Sequence, residues 1–98
     1  MEVNKIVGEE ITLEVVGRLN TTTSSDFQTQ LLASFEEGKN IILDLEKLEY
    51  ISSAGLRTLL VGEKTAKSKG LKFSIVNANE DTMHIFVMTG FADILSVN

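Results

Sequence analysis

The chain of 98 residues carries a net charge of −5, and its hydrophobic fraction of 43% suits one small globular domain with a single core. An acidic chain is repelled by nucleic acid and by anionic membranes, and a chain without cysteine cannot form disulfides or use thiolate chemistry. Because no apolar run approaches the roughly 18 residues of a membrane span and no signal peptide is recognisable, we expect a cytoplasmic protein without direct membrane insertion and without nucleic acid as a partner.

The first part of the chain predicts a hairpin and a helix. Residues 2–7 have the composition of a strand, and apolar and polar residues alternate through residues 11–17, so the two segments predict antiparallel strands. A helix is predicted for residues 23–37, because an apolar residue recurs there every four positions. Thr23 and Asp26 resemble a capping box at its start, although Asp replaces the usual Glu or Gln.

In the rest of the chain, strands and helices alternate. The apolar run within residues 40–45 predicts a central strand covered on both faces. A second helix is predicted for residues 53–68, and the alternation in residues 71–76 predicts another strand. Asn79 is expected to cap a last helix, which ends by Thr89.

The order β-β-α-β-α-β-α predicts the α/β class, with one domain over residues 1–98 and a mixed central sheet with helices packed on it. Apolar residues of the loops and of the last helix are also expected to pack in the core. These are Leu48, Ile51, Met83, Phe86, Val87, Phe91, Ile94 and Leu95.

The second helix has two faces of different composition. The face expected against the sheet carries small and apolar residues, which are Gly55, Leu56, Leu59, Gly62 and Ala66. The opposite face is mildly apolar and nearly uncharged, and it carries Ala54, Thr58, Val61 and Thr65, with Arg57 at its edge. We expect this outer face to be exposed and to form a docking patch.

Residues 44–60, DLEKLEYISSAGLRTLL, contain the main candidate site. Ser52 and Ser53 stand where the second helix is expected to begin, and serine is favoured there because its hydroxyl accepts a hydrogen bond from an unpaired backbone N–H. The same place favours an anion, since free N–H groups and the positive end of the helix dipole converge on it. The two serines therefore suit either a helix cap or a phosphorylation site.

Three segments resemble the motifs of STAS domains, the fold of bacterial anti-sigma factor antagonists. Residues 44–60 are similar to the STAS signature, in which an acidic residue ends a strand and Asp-Ser-Ser/Thr-Gly-Leu opens a helix. Residues 17–20, Gly-Arg-Leu-Asn, resemble the Gly-x-Leu-Asp loop before the first helix of the family. Residues 86–95, FVMTGFADIL, resemble its Phe-x-x-x-Gly-Leu/Phe-x-x-Ile-Phe/Leu ending. The resemblance covers nearly the whole chain and implies a single STAS-type domain.

The resemblance implies a binding module that is switched by phosphorylation, rather than an enzyme. In the family, the unphosphorylated domain binds an anti-sigma factor, often itself a serine protein kinase, and so releases a sigma factor. The kinase phosphorylates the serine two residues before Gly-Leu, and a serine phosphatase restores it. By position this serine is Ser53, rather than Ser52. The partner-binding surface expected from the motifs and from the outer helix face comprises Asn20, Thr21, Ser52, Ser53, Ala54, Arg57, Thr58 and Val61.

The sequence departs from the family pattern at two positions, which leaves alternatives open. Ser52 stands where the family usually has Asp, and Asn20 stands where the first loop usually carries an acidic residue. Both changes remove negative charge near Ser53, so a different kinase, a changed rate of phosphorylation or a lost switch would each fit. The alternatives are a STAS interaction module without a working phospho-switch and the accessory STAS subunit of an ABC-type lipid transport complex.

Other kinds of site have little support in the sequence. His84 is the only histidine, no Cys or acidic cluster has metal-ligand spacing around it, and we expect it on the surface of the last helix. Ser53 lacks a plausible base and a Gly-x-Ser-x-Gly elbow, and no Gly-Lys-Ser/Thr follows Gly62. Neither a metal nor a cofactor is expected. The hydroxyl-rich residues 21–25 are interpreted as capping and loop polarity.

Overall fold

Strands and helices alternate along most of the chain in the computed structural model, which describes residues 1–98. The strands are β1 (Glu2–Val7), β2 (Ile11–Leu19), β3 (Ile41–Asp44), β4 (Leu48–Ile51), β5 (Phe73–Val76) and β6 (Ser96–Val97). The α-helices are α1 (Thr21–Phe35), α2 (Ser53–Lys69) and α3 (Glu80–Thr89), and a 3₁₀ helix over Phe91–Asp93 precedes β6. None of the helices combines the length and the apolar character needed to cross a membrane.

The sheet is mixed, and its neighbouring strands follow the order β1-β2-β3-β5-β6. β1 and β2 form an antiparallel hairpin, whereas β2, β3, β5 and β6 are parallel neighbours. Parallel neighbours need crossover connections, and the three α-helices supply them. The predicted α/β class, with helices packed on a mixed central sheet, is confirmed.

Two short strands add to the predicted order. β6 extends the sheet beside β5, and β4 pairs in parallel with the last residues of β2. The expectation that Leu48 and Ile51 pack in a loop is therefore wrong, because both lie in β4 with their side chains buried. The exposed residues Glu49 and Tyr50 lie between them. This pattern lacks the strict alternation by which a strand is recognised in a sequence.

β2 continues beyond Gly17, where the sequence analysis expects it to end. Gly17 has a φ of 101°, and the pairing of β2 with β4 shifts register between Gly17 and Arg18. Glycine adopts such a left-handed conformation without the strain of a side chain. Gly17 pairs with Leu48 and Arg18 pairs with Tyr50, so Glu49 of β4 is the extra residue of a bulge. The glycine thus marks an irregularity inside the strand, and β2 ends at Leu19.

A cluster of nineteen buried apolar residues forms the core between the helices and the sheet. Phe27, Leu31 and Phe35 of α1 are fully buried, as their four-residue spacing predicts. Buried and half-buried residues alternate along β3. Only one face of this strand is therefore fully covered, instead of both faces as its apolar run predicts.

Two residues that the sequence analysis expects in the core are exposed. Val87 exposes 63% of its surface and Ile94 exposes 47%, whereas the neighbouring Phe86 is fully buried. Consecutive residues of a helix point about 100° apart, so α3 can direct Thr82 and Phe86 inward only by turning Val87 towards solvent. The other residues expected in the core are buried or half-buried.

Candidate functional site

Two helices begin side by side at the same end of the sheet. β2 and β4 run parallel and end opposite each other, with Leu19 paired to Ile51. The N–H of Ser52 donates to the carbonyl oxygen of Leu19 at 2.8 Å. One residue, Asn20, separates β2 from α1, and one residue, Ser52, separates β4 from α2. The strand pairing therefore brings the N-termini of α1 and α2 together.

Asn20 caps α1. Its side-chain oxygen accepts hydrogen bonds from the N–H groups of Thr22 and Thr23 at 3.0 and 2.9 Å. The Thr23 hydroxyl accepts one from the N–H of Asn20 at 2.9 Å, which completes a capping box. The predicted box of Thr23 with Asp26 is wrong, and the helix starts at Thr21, because asparagine is itself among the best capping residues.

Ser52 and Ser53 have different environments. Ser52 is the cap of α2: its hydroxyl oxygen accepts a hydrogen bond from the N–H of Gly55 at 3.2 Å, and the residue is half-buried. Ser53 is the first residue of the helix, and it is exposed. The cap thus depends on Ser52 and leaves the hydroxyl of Ser53 accessible.

The first turn of α2 lies unusually close to the ends of β2 and β4. A Cβ atom on Gly55 would lie 2.7 Å from Cγ1 of Ile51 and 3.1 Å from Cβ of Leu19. The first distance is too short for a side-chain carbon, so only glycine allows the backbone of the helix to approach the strands at this point. Gly55 thereby determines how close Ser53 lies to the strand ends.

A groove with a volume of about 350 Å³ separates the N-terminal halves of α1 and α2. It is lined mainly by polar residues, which are Thr21, Ser24, Ser25, Gln28, Ala54, Arg57, Thr58 and Val61. The hydroxyl oxygen of Ser24 is buried in this region without a hydrogen-bond partner. The groove is thus a polar depression directly beside the first turn of α2.

The predicted outer face of α2 is partly covered by α1. Thr58 exposes only 2% of its surface, and its hydroxyl lies 3.4 Å from the carbonyl oxygen of Ser24 and 3.3 Å from that of Ala54. The expectation that Thr58 lies on an open face is therefore wrong, because α1 packs against it. Ala54 and Val61 are half-buried, and Arg57 is exposed.

The groove beside Ser53 carries a single charge, and that charge is positive. Arg57 is the only charged residue that lines the groove, and it takes part in none of the four ion pairs of the structure. The first turn of α2 contains no acidic residue. The guanidinium group of Arg18 lies over the ring of Tyr50, 4.5 Å from its centroid, where the ends of β2 and β4 pair. The groove and the first turn of α2 are therefore suited to receive negative charge.

The predicted site residues come together at this end of the domain, in the caps, in the first turns of α1 and α2, or in the groove. Sequence reasoning does not identify the contribution of α1, which consists of Ser24, Ser25 and Gln28, or the stacked pair of Arg18 and Tyr50. The sequence analysis includes Asn20 and Thr21, and the hydroxyl-rich residues 21–25 are the signal that could have pointed to Ser24 and Ser25 as well.

The histidine, the acidic residues and the lysines elsewhere in the domain do not form a second site of the kinds considered in the sequence. His84 is exposed on α3, as expected of a surface histidine. No group of three or more His, Asp or Glu side chains is arranged to hold a metal ion. The lysines near the end of α2 are exposed, and Lys69 forms an ion pair with Glu36 at 3.1 Å.

Comparison with known sequences identifies a family and named relatives. The profile of the STAS domain family matches residues 2–98. BtrV of Bordetella bronchiseptica, named as a candidate anti-sigma factor antagonist, is 29% identical over 82 residues, which are 83% of this chain and 71% of BtrV. The anti-sigma-B factor antagonist of Bacillus subtilis is 22% identical over 89 residues, which are 91% of this chain and 82% of that protein.

Solved structures share the fold. The crystal structure of a candidate anti-sigma factor antagonist from Thermotoga maritima matches with a TM-score of 0.88 at 24% identity, covering 97% of this chain and 84% of that one. The Bacillus anti-sigma factor antagonist SpoIIAA matches in its unphosphorylated form with a TM-score of 0.75 at 13% identity, covering 99% of this chain and 86% of that one. Its phosphorylated form matches with a TM-score of 0.74 at 14% identity, covering 99% of this chain and 89% of that one.

Proposed function

The chain belongs to the STAS domain family, and we propose that it is an anti-sigma factor antagonist regulated by phosphorylation of Ser53. The unphosphorylated domain binds an anti-sigma factor that is also a serine protein kinase, and this binding releases a sigma factor. Phosphorylation of Ser53 by the kinase ends the binding, and a serine phosphatase restores it. The proposal is supported by relatives named as anti-sigma factor antagonists, which align with 83% and 91% of the chain.

The observation that carries the proposal is the different environment of the two serines. The hydroxyl of Ser52 accepts the capping hydrogen bond from Gly55, whereas Ser53 is exposed at the first position of α2. A kinase can therefore modify Ser53 without removing the cap. The positive end of the helix dipole and the unpaired N–H groups of the first turn also favour a phosphate at this place.

The phosphate would act on binding rather than on folding. It adds a charge of about −1.5 to −2. A partner that docks on the groove and the first turn of α2 would have to remove water from this charge, or would be repelled by it if its own surface is acidic. A loss of about 3 kcal/mol of binding free energy weakens a complex more than a hundredfold. The partner surface proposed here comprises Asn20, Thr21, Ser52, Ser53, Ala54, Arg57 and Val61, with Thr58 at the floor of the groove.

The proposal is tested by mixing the purified domain with candidate anti-sigma kinases from the same genome, with and without ATP. We expect the wild type and Ser53→Ala to bind one of them, and Ser53→Asp to bind more than about a hundredfold more weakly. With ATP, the wild type and Ser52→Ala should be phosphorylated, and Ser53→Ala should not. Calorimetry measures the binding, and mass spectrometry locates the phosphate.

Other outcomes would contradict the proposal in distinct ways. Failure of every candidate kinase to bind or phosphorylate the domain, with Ser53→Asp as competent as the wild type in cells, would exclude the switch. Binding that does not respond to Ser53→Asp would favour an interaction module without a phospho-switch. Co-purification with an ABC-type ATPase, in place of an anti-sigma factor, would favour the accessory subunit of a lipid transport complex.

A further inference from the structure

Arg57 occupies a special position relative to Ser53. It lies four residues later in the same uninterrupted helix, and residues at this spacing are neighbours on the helix surface, with Cβ atoms about 5–6 Å apart. Side chains of an α-helix lean towards its N-terminus, so the long side chain of Arg57 can reach back over the turn that begins with Ser53. The guanidinium group is thus within reach of a group attached to the Ser53 hydroxyl.

Arg57 has no ion-pair partner in the unphosphorylated domain. It is exposed, and the four ion pairs of the structure involve other residues. The charged residues on the elements beside the first turns of α2 are Asp26 of α1, Glu14 and Arg18 of β2, and Glu49 of β4. Glu14 pairs with Lys47, and none of the four pairs with Arg57. Arg18 itself stacks on Tyr50. A new anion on Ser53 would therefore meet a free guanidinium group.

We infer that Arg57 is the intramolecular partner of a phosphate on Ser53, so that phosphorylation both adds negative charge at the start of α2 and engages the only charged side chain of the groove. This inference rests on the proposed phosphorylation of Ser53. A guanidinium group binds phosphate oxygens through two parallel N–H donors, and an acidic group four residues before a basic one is the favourable order in a helix.

The pair gives the phosphate a second effect on the partner surface. In the unphosphorylated domain, Arg57 lines the groove and is free to contact an acidic group of a docked protein. Once paired with the phosphate, the same guanidinium group has its donors occupied and its charge compensated. The groove then offers no positive charge to a partner, in addition to the repulsion from the phosphate itself.

The test uses the whole domain with phosphoserine installed at position 53 by an expanded genetic code, so that no kinase is needed. The phosphate is titrated by phosphorus NMR in the protein with Arg57 and in Arg57→Gln. A guanidinium group about 4 Å away stabilises the dianion relative to the monoanion by about 1 kcal/mol even at the dielectric constant of water. We therefore expect the titration midpoint to lie about 0.7 pH unit lower with Arg57 than with Arg57→Gln.

Lys64→Gln is the matched control, because it removes one positive charge from an exposed position further along α2. It should leave the midpoint where it is, and about 0.5 M salt should reduce the effect of Arg57 by screening. A midpoint that moves no more in Arg57→Gln than in Lys64→Gln would overturn the inference. This outcome is separate from the proposed function, since the kinase assays test whether Ser53 is modified, and this titration tests what the phosphate contacts.

Discussion

At the scale of single residues, the two adjacent serines show that the role of a side chain depends on its position relative to the start of the helix. Ser52 has extended backbone angles and its hydroxyl can reach the N–H of Gly55, which would otherwise lack a partner at the helix start. Ser53 has already entered the helix, and its side chain points to solvent. The same chemical group is therefore structural at one position and available for modification at the next.

Replacement of each serine by alanine separates the two roles. Ser52→Ala should lower the free energy of unfolding by about 1 kcal/mol, because it removes the capping hydrogen bond of α2. Ser53→Ala should change it by less than about 0.5 kcal/mol, as is usual for an exposed side chain without a structural contact. Urea unfolding of both variants and the wild type measures the difference. Equal losses in the two variants would mean that Ser53 also stabilises the helix start.

At the scale of elements, the close contact between α2 and the ends of β2 and β4 builds the site. Gly55 allows this contact at the first turn, and Gly62 allows a similar approach about two turns further along the same face, where a Cβ atom would lie 2.8 Å from Cδ2 of Leu31. Small residues on the inner face of α2 thus set its distance from the sheet and from α1. The groove and the exposure of Ser53 both depend on this distance.

Gly55→Ala tests the contact. Alanine favours a helix over glycine by about 1 kcal/mol, but its methyl group would overlap Ile51, and overpacking of this kind costs about 1–3 kcal/mol. We therefore expect urea unfolding to show a lower free energy of unfolding for Gly55→Ala, although helix propensity alone would favour alanine.

Ser68→Ala provides the comparison, because it is an exposed position in the last turn of the same helix and should be neutral or slightly stabilising. If Gly55→Ala proved as stable as the wild type, the first turn of α2 would have room to shift away from the strands, and the close approach would not be needed for stability.

At the scale of the whole molecule, a domain of 98 residues has one modest core and therefore a small free energy of unfolding. Domains of this size unfold at a cost of about 5–15 kcal/mol, so the loss of one large buried side chain removes a substantial part of the total. Phe86 is such a side chain, since it connects α3 to the cluster formed by the sheet and the other helices.

Neighbouring residues of α3 should therefore respond very differently to truncation. Phe86→Ala should cost about 3–5 kcal/mol, because it leaves a cavity in the core. Val87→Ala should cost less than about 0.5 kcal/mol, because Val87 exposes 63% of its surface. Thermal and urea unfolding measure both. A large loss of stability in Val87→Ala would mean that Val87 is buried in the core, which contradicts its exposed position on α3.

The core and the helix ends are where the sequence is most informative. Phe27, Leu31 and Phe35 recur with the period of a helix, and their burial follows from that spacing. Asn79 caps α3 and Thr89 is its last residue, as predicted, because helix ends depend on local chemistry. Gly90 follows in the left-handed conformation that often ends a helix. Val87 is misassigned because α3 has apolar residues on several sides, and hydrophobicity alone does not select the face that packs.

For the candidate site, the sequence by itself determined where α2 begins, because Ser52 and Ser53 are local signals that act through their own backbone. The start of α1 is predicted two residues too late, since Asn20 and not Thr23 is its cap. Only the tertiary structure decided that the two helix starts adjoin. This depends on β4, whose four residues lack a strand pattern and pair with β2 across a bulge at Glu49. The contribution of α1 to the groove and the burial of Thr58 follow from the same packing. Contacts between distant segments arise from strand pairing and helix packing, and these depend on the chain as a whole.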